Sequence, residues 1–265
     1  MKKLLSLLLC LALSACCVFS LASCGESELS KAYDKYLAEV KAPTDSSLPV
    51  LTVATSPDFA PMEFSDLAKS GQDQYVGFDL LLANYLAKEL NMQLVIKPLS
   101  FDACMAAVQS GNADLGISGF SWTAARAETF LISDYYIAGE NETEQVTIVK
   151  TGTSLTTAAS YAGKKVGVQG GSLQELLVKE QLETQGAQVV TMENLNDLAT
   201  ALVNGQIDAL ACAKGNADAY VSSYGEDKLA LSGFSFEVEE KYKNNVVLLN
   251  KTATELCDKV NAALA

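Results

Sequence analysis

Between residues 50 and 118, short apolar runs of strand character alternate with segments of helical spacing. The same succession returns about 94 residues further on. Residues 50–54 read as a strand. Phe78, Leu81, Leu82, Tyr85 and Leu86 then line one face of a helix that ends near Asn91. Residues 93–97 read as a strand, 101–109 as a helix and 113–118 as a strand. Such alternation builds βαβ units, with a mostly parallel sheet flanked by helices on both faces. In the second pass, helices from Ser172 and Leu195 and a strand from Ala187 match the elements from Phe78, Phe101 and Gln93. Gly111-Asn112-Ala113-Asp114 matches Gly205-Gln206-Ile207-Asp208, each ahead of a strand. Glycine there suits the left-handed turn after a helix, and aspartate can bond nearby backbone as the strand begins, so neither aspartate is assigned to a ligand. The expected fold is α/β in two similar lobes. The chain passes from one to the other near 136–149, where 145–150 reads as a strand, and returns near 244–250.

The composition supports real cores, with 49% hydrophobic and 19% charged residues. A net charge of −13 without a basic cluster argues against nucleic acid and against electrostatic docking on anionic lipid. The absence of histidine removes the commonest metal ligand and the usual general base. No metal or cofactor is expected.

Residues 1–23 have the form of a secretory signal, with Lys2 and Lys3 ahead of an uncharged run from Leu4 to Ser23. That run is also long enough to span a bilayer as an uncleaved anchor. Residues 24–47 read as a tether, with a short helix marked by Leu29, Tyr33, Tyr36, Leu37 and Val40, followed by a linker at 42–47. Four of the seven cysteines, Cys10, Cys16, Cys17 and Cys24, lie in the leader or at its end. Cys104, Cys212 and Cys257 sit in apolar patterns without Cys-x-x-Cys spacing and read as buried thiols. A Cys104–Cys257 bridge is the alternative.

Two stretches carry chemistry. In Ser-Gly-Phe-Ser-Trp-Thr-Ala-Ala-Arg (118–126), a strand end leads into a turn with hydroxyls and an arginine one helical turn on. A guanidinium held there is a carboxylate receptor, or else one half of a surface ion pair. Gly170-Gly171-Ser172-Leu173-Gln174 is a glycine turn entering a helix, where free N–H groups suit an anion. It lacks the Gly-Lys-Ser/Thr ending of a phosphate loop.

The first stretch resembles the "SG-x-(S/T)-x-T-x-x-R" element of the polar amino-acid-binding proteins that serve ABC importers, solute-binding protein family 3. The resemblance runs from about Leu51 to Ala265. It also includes Ala54-Thr55-Ser56-Pro57-Asp58-Phe59-Ala60-Pro61-Met62-Glu63-Phe64, Val76-Gly77-Phe78-Asp79, Ser133-Asp134-Tyr135-Tyr136 and Lys164-Lys165-Val166-Gly167-Val168-Gln169-Gly170-Gly171. It implies a periplasmic-binding-protein-like fold with a two-strand hinge. Lobe 1 would comprise 48–143 and 246–265, with lobe 2 from 144 to 245. By the same resemblance, Phe59 and Phe101 enclose the ligand side chain, the Gly119 carbonyl accepts from the ligand ammonium, and Ser121 gives a hydroxyl contact. Arg126 takes the α-carboxylate bidentately, and Gln169, Gly171 and Ser172 meet the ligand from lobe 2. Leu21-Ala22-Ser23-Cys24 resembles a lipobox, with Cys24 diacylated; Leu13-Ser14-Ala15-Cys16 also fits.

The implied protein is a monomeric, lipid-anchored, extracytoplasmic receptor that is not an enzyme. It delivers a small amino acid or related carboxylate to a permease. Three departures stand out. Ala213, followed by Lys214, replaces an aspartate that would pair with the ligand ammonium, and Glu142 or Glu144 is the candidate substitute. Ser56 stands where many members have aspartate. Members of the family usually continue through another helical segment beyond the point matching Ala265. Trp122, where the family carries an aliphatic residue, could face the ligand or cover the turn. Two other functions compete. One is a dehydratase-like enzyme on the same fold, with Glu63, Glu142 or Glu144 as its acid. The other is a sensor module with a separate membrane partner.

Overall fold

The computed structural model describes residues 28–136 and 143–265. The leader, Cys16, Cys24 and Glu142 lie outside the described residues. The chain divides into two compact units. The first holds the described residues up to Tyr136 together with Asn244–Ala265, and the second holds those from Thr143 to Lys243.

The main sheet of the first unit is built from β1 (Val50–Thr55), β5 (Gln93–Pro98), β6 (Leu115–Gly116), β7 (Leu131–Ile132) and β13 (Leu248–Leu249). These five strands lie in the order β5-β1-β6-β13-β7. β1 lies parallel to β5 and β6, whereas β13 runs antiparallel to β6 and β7. The same unit carries a small antiparallel sheet of β2 (Asp58–Phe59), β3 (Glu63–Ser65) and β4 (Tyr75–Val76). The helix Phe78–Glu89 buries eight of its residues. It can do so because its outer side is covered as well. The helix Glu28–Val40, expected in a tether, packs on it, with Tyr33 and Val40 in the core. Lys69 holds Asp34 at 2.6 Å, and Asn84 Oδ1 accepts from the Ala42 N–H at 3.1 Å. The apolar stripe of this helix needs such a partner to leave water.

The second unit repeats the plan. Its strands are β8 (Gln145–Lys150), β9 (Lys165–Gln169), β10 (Gln188–Met192), β11 (Ala209–Ala213) and β12 (Leu229–Ser235), in the order β10-β9-β11-β8-β12. β9 is parallel to β10 and β11, and β8 is antiparallel to β11 and β12. Each five-stranded sheet is therefore mixed: four strands run one way, and β13 in the first and β8 in the second run against them. β8 is buried along five of its six residues, which explains its largely apolar run.

The Gly-x-x-Asp turns show how deep the repetition goes. Asp114 Oδ2 accepts from the Thr52 N–H at 2.8 Å, and Asp208 Oδ2 accepts from the Lys165 N–H at 2.8 Å. Each aspartate thus ties its own turn to the start of the neighbouring parallel strand. Gly111 and Gly205 precede them with φ of +74° and +72°. Both turns are structural. Cys104, Cys212 and Cys257 are buried free thiols, so the alternative of a Cys104–Cys257 bridge falls.

Candidate functional site

The first unit gathers Phe59, Phe101, Gly119, Ser121 and Arg126 beyond the carboxyl ends of its parallel strands, where open α/β sheets present ligand sites. The chain leaves β6 through Ser118 and turns at Gly119, whose φ is +56°. A Cβ at Gly119 would stand 3.1 Å from the ring of Phe59. Both the backbone sign and the aromatic neighbour therefore call for glycine. Thr123 caps the short helix Ala124–Thr129, its hydroxyl accepting from the Arg126 N–H at 3.2 Å.

Arg126 is only 5% exposed. Its Nη1 donates to the Ser121 carbonyl at 2.6 Å, and its guanidinium lies 5.5 Å from the Phe101 ring centre and 5.2 Å from that of Phe120. Those rings pack on each other at 4.7 Å. Burial pulls the guanidinium down to about 10, against the opposing pull of Asp102, so it remains cationic at neutral pH. The surface ion-pair reading of Arg126 does not fit a group buried between aromatic faces. Trp122 is half-buried and packs against the same cluster of Phe101, Phe120 and Phe130.

Beneath the turn lies a network that the motifs contain but their spacing does not reveal. The Gly119 N–H donates to Asp79 Oδ2 at 2.7 Å, and the Tyr136 hydroxyl donates to the same oxygen at 3.0 Å. Ser118 Oγ donates to Glu63 Oε1 at 2.6 Å and accepts from the Ser56 N–H at 2.9 Å. Ser56 Oγ in turn donates to Asp58 Oδ1 at 2.9 Å. Glu63 is fully buried.

In the second unit, Ser172 is the N-cap of the helix Leu173–Gln181, accepting from the Glu175 N–H at 3.1 Å. The Gly171 N–H, expected to be free for an anion, donates to Glu175 Oε2 at 2.7 Å. Gln169 is buried, with Nε2 on the Glu193 carbonyl at 3.0 Å. Ala213 is fully buried and stands at the N-cap of the helix Lys214–Tyr224 without a capping side chain. Lys214, which follows Ala213, is held by Asp218 at 2.6 Å. Glu144 is exposed and accepts from Ser235 Oγ at 3.2 Å, while its carbonyl accepts from the Lys214 N–H at 2.9 Å.

A groove of about 610 Å³ lies elsewhere on the first unit, between Tyr33, Lys41, Lys69, Gln72 and Ile96. It contains none of the expected ligand contacts.

Two α/β units of matching strand order, one with a buried arginine behind a glycine turn, define the class of two-lobed binding proteins. Solved structures agree. An L-arginine-bound substrate-binding protein of an amino acid ABC transporter, AbpA from Streptococcus pneumoniae, is 34% identical with a TM-score of 0.69. The match covers 81% of this chain and 87% of that one. A periplasmic binding protein from Salmonella typhimurium, at 23% identity and a TM-score of 0.72, shares the fold; the match covers 82% of this chain and 92% of that one. The arginine-binding extracellular protein ArtP of Bacillus subtilis is 28% identical over 264 residues, covering 100% of this chain and 92% of ArtP. A probable histidine-binding protein of Campylobacter jejuni is 30% identical over 212 residues, covering 77% of this chain and 78% of that one. Residues 51–265 match the model of the bacterial extracellular solute-binding proteins, family 3, and the chain belongs to that family. It is a family of binding proteins rather than enzymes.

Proposed function

We propose that this chain is the lipid-anchored receptor of an ABC importer, which captures a free amino acid by its α-carboxylate and hands it to the permease. The observation that carries the reading is Arg126, a buried cation stacked on two rings and braced by the Ser121 carbonyl at 2.6 Å. A planar guanidinium in such a setting matches a carboxylate fork. Phe59 and Phe101 are assigned to the ligand side chain, the Gly119 carbonyl and Ser121 to its polar head. Gln169 and Ser172, and Gly171 once its N–H exchanges Glu175 for the ligand, are assigned to complete recognition from the second unit. L-Arginine is the first ligand to test, because ArtP is named for arginine and AbpA was solved with it. With Ala213 in place of an acid, Glu144, whose carbonyl already meets the start of the Lys214–Tyr224 helix, is the candidate partner of the ligand ammonium.

Cys24 is proposed as the diacylated anchor and the protein as a monomer, with 1–23 removed and the chain from Cys24 joining the anchor to the Glu28–Val40 helix of the first unit. One acyl chain binds membranes only marginally, so the two-chain group supplies stable attachment. In the native organism, deletion should abolish uptake of the ligand, and the parent gene but not Arg126→Ala should restore it. Ligand recovered unchanged after incubation with the protein excludes the enzyme. Intact uptake in the deletion strain would refute transport and favour sensing.

A further inference from the structure

Beneath the Gly119 turn lie two buried carboxyl groups, and among the described residues no cation bears on either. Glu63 comes from β3 and Asp79 from the second position of the helix Phe78–Glu89, and both are fully buried. Glu63 Oε1 and Asp79 Oδ2 are bonded by consecutive residues of the turn, Ser118 and Gly119, which brings the two carboxyl groups close enough for each to act on the other's titration. Two ionised carboxylates cannot bond, because neither has a donor. The remaining contacts decide which of them carries the proton. Asp79 Oδ2 accepts from both the Gly119 N–H and the Tyr136 hydroxyl, as an anion should. Glu63 Oε1 accepts from Ser118 Oγ. The two oxygens left, Glu63 Oε2 and Asp79 Oδ1, are buried and find no partner among the described residues. One proton on Glu63 Oε2, donated to Asp79 Oδ1, satisfies both.

We propose that Glu63 and Asp79 form an acid–carboxylate pair sharing one proton, and that this pair is a positioning device which sets the Gly119 turn for the ligand. The role in binding rests on the proposed function; the shared proton does not.

The environment favours a single negative charge on the pair. Burial, the charge of Asp79 and that of Asp58 push the Glu63 carboxyl well above its ordinary value. Burial also raises Asp79, to about 6, while the Gly119 N–H, the Tyr136 hydroxyl and Glu63 pull it down. The Tyr136 hydroxyl and the Cys104 thiol are pushed up by burial and by neighbouring acids, so both stay neutral. Asp58 on β2, Tyr136 beyond β7 and Cys104 on the helix Phe101–Gln109 are the titratable groups that bear on the pair, and none of them brings a cation. Asp79 thereby joins the turn at Gly119 to Tyr136, whose N–H donates to the Asn245 carbonyl at 3.0 Å.

The test has a part that needs no ligand. In the full chain carrying carbon-13-labelled glutamate carboxyls, the infrared spectrum at neutral pH should contain a protonated-carboxyl band that Glu63→Gln removes. The amide of the Glu63→Gln variant keeps a donor for Asp79 and an acceptor for Ser118, so the variant should fold. A raised folded pKa stabilises the protein fully below the unfolded value of about 4.3 and loses that stability as pH rises through the folded value. Glu63→Gln should therefore flatten the fall of thermal stability with rising pH. With L-arginine as the probe, parent affinity should fall as pH rises through the folded value of Glu63, while Glu63→Gln stays flat and matches the parent at low pH. Asp79→Asn keeps an acceptor for Gly119 and should bind within about tenfold. Asp79→Ala should bind about ten- to a hundredfold more weakly, the loss of a hydrogen bond to a charged group. A parent spectrum without a band sensitive to Glu63→Gln overturns the shared proton. Parallel pH profiles of affinity, or unchanged binding by a folded Asp79→Ala, overturn the positioning role. If L-arginine and other amino acids fail to bind while the band is present, the pair stands and the proposed function falls.

Discussion

Replacing Arg126 separates binding from folding. Arg126→Ala removes a guanidinium that is 5% exposed, a bond to the Ser121 carbonyl and stacking on Phe101 and Phe120. The loss to stability is limited. Two cation–π contacts contribute on the order of 0.5–2 kcal/mol each, and the variant also sheds the desolvation of a buried cation. The loss to binding is larger. Truncating one partner of a buried, hydrogen-bonded charge pair costs roughly 2–5 kcal/mol, or about thirtyfold to several-thousandfold in affinity. Arg126→Lys keeps the charge but loses the planar fork, and should bind at least about tenfold more weakly. Titration calorimetry gives the affinities, and circular dichroism with thermal unfolding confirms the fold. A folded Arg126→Ala protein that binds its amino acid within about threefold of the parent would refute the carboxylate assignment, since that is well short of the loss expected for a buried charge pair.

Gly119→Ala should lower stability by about 1–2 kcal/mol, because an L residue is strained at φ +56° and its Cβ would press on Phe59; denaturant unfolding measures this, and an unchanged midpoint would contradict it. Ala213→Asp should cap the Lys214–Tyr224 helix, which lacks a side-chain cap, and should raise affinity for ordinary L-amino acids in calorimetry if position 213 meets the ammonium. Unchanged affinity there would remove position 213 from the site. Cys24→Ala should abolish labelling by a lipid precursor, whereas loss in Cys16→Ala instead would move the anchor to Cys16.

The repeating strand–helix pattern is legible because apolar spacing and glycine turns encode it locally. The helix beginning at Phe78 and the strand Gln145–Lys150 can both be read this way. Short elements are less so. The strand expected over 113–118 is confined to Leu115–Gly116, since the chain bends away toward the left-handed Gly119. The returning strand expected over 244–250 contracts to Leu248–Leu249, with Asn245 instead bridging Ser121 and Tyr136. The stripe of the Glu28–Val40 helix can be read, but its partner cannot, because packing of two helices depends on tertiary placement. At the candidate site, the turn and Arg126 are visible as a motif. The carboxyl pair beneath is not. Asp79 reads as an ordinary acidic residue in a first helical turn, and Glu63 lies on another element, ahead of β4 and its turn.

The central claim is that this chain holds a free amino acid by its α-carboxylate. Calorimetry comparing L-arginine with agmatine, the same molecule without that carboxylate, measures it most directly, with L-histidine and L-glutamine as parallel ligands. At least one of the amino acids should bind; if L-arginine does, agmatine should be weaker by the same roughly thirtyfold or more expected for Arg126→Ala. Agmatine binding as tightly as L-arginine, or no binding of any amino acid, would contradict it.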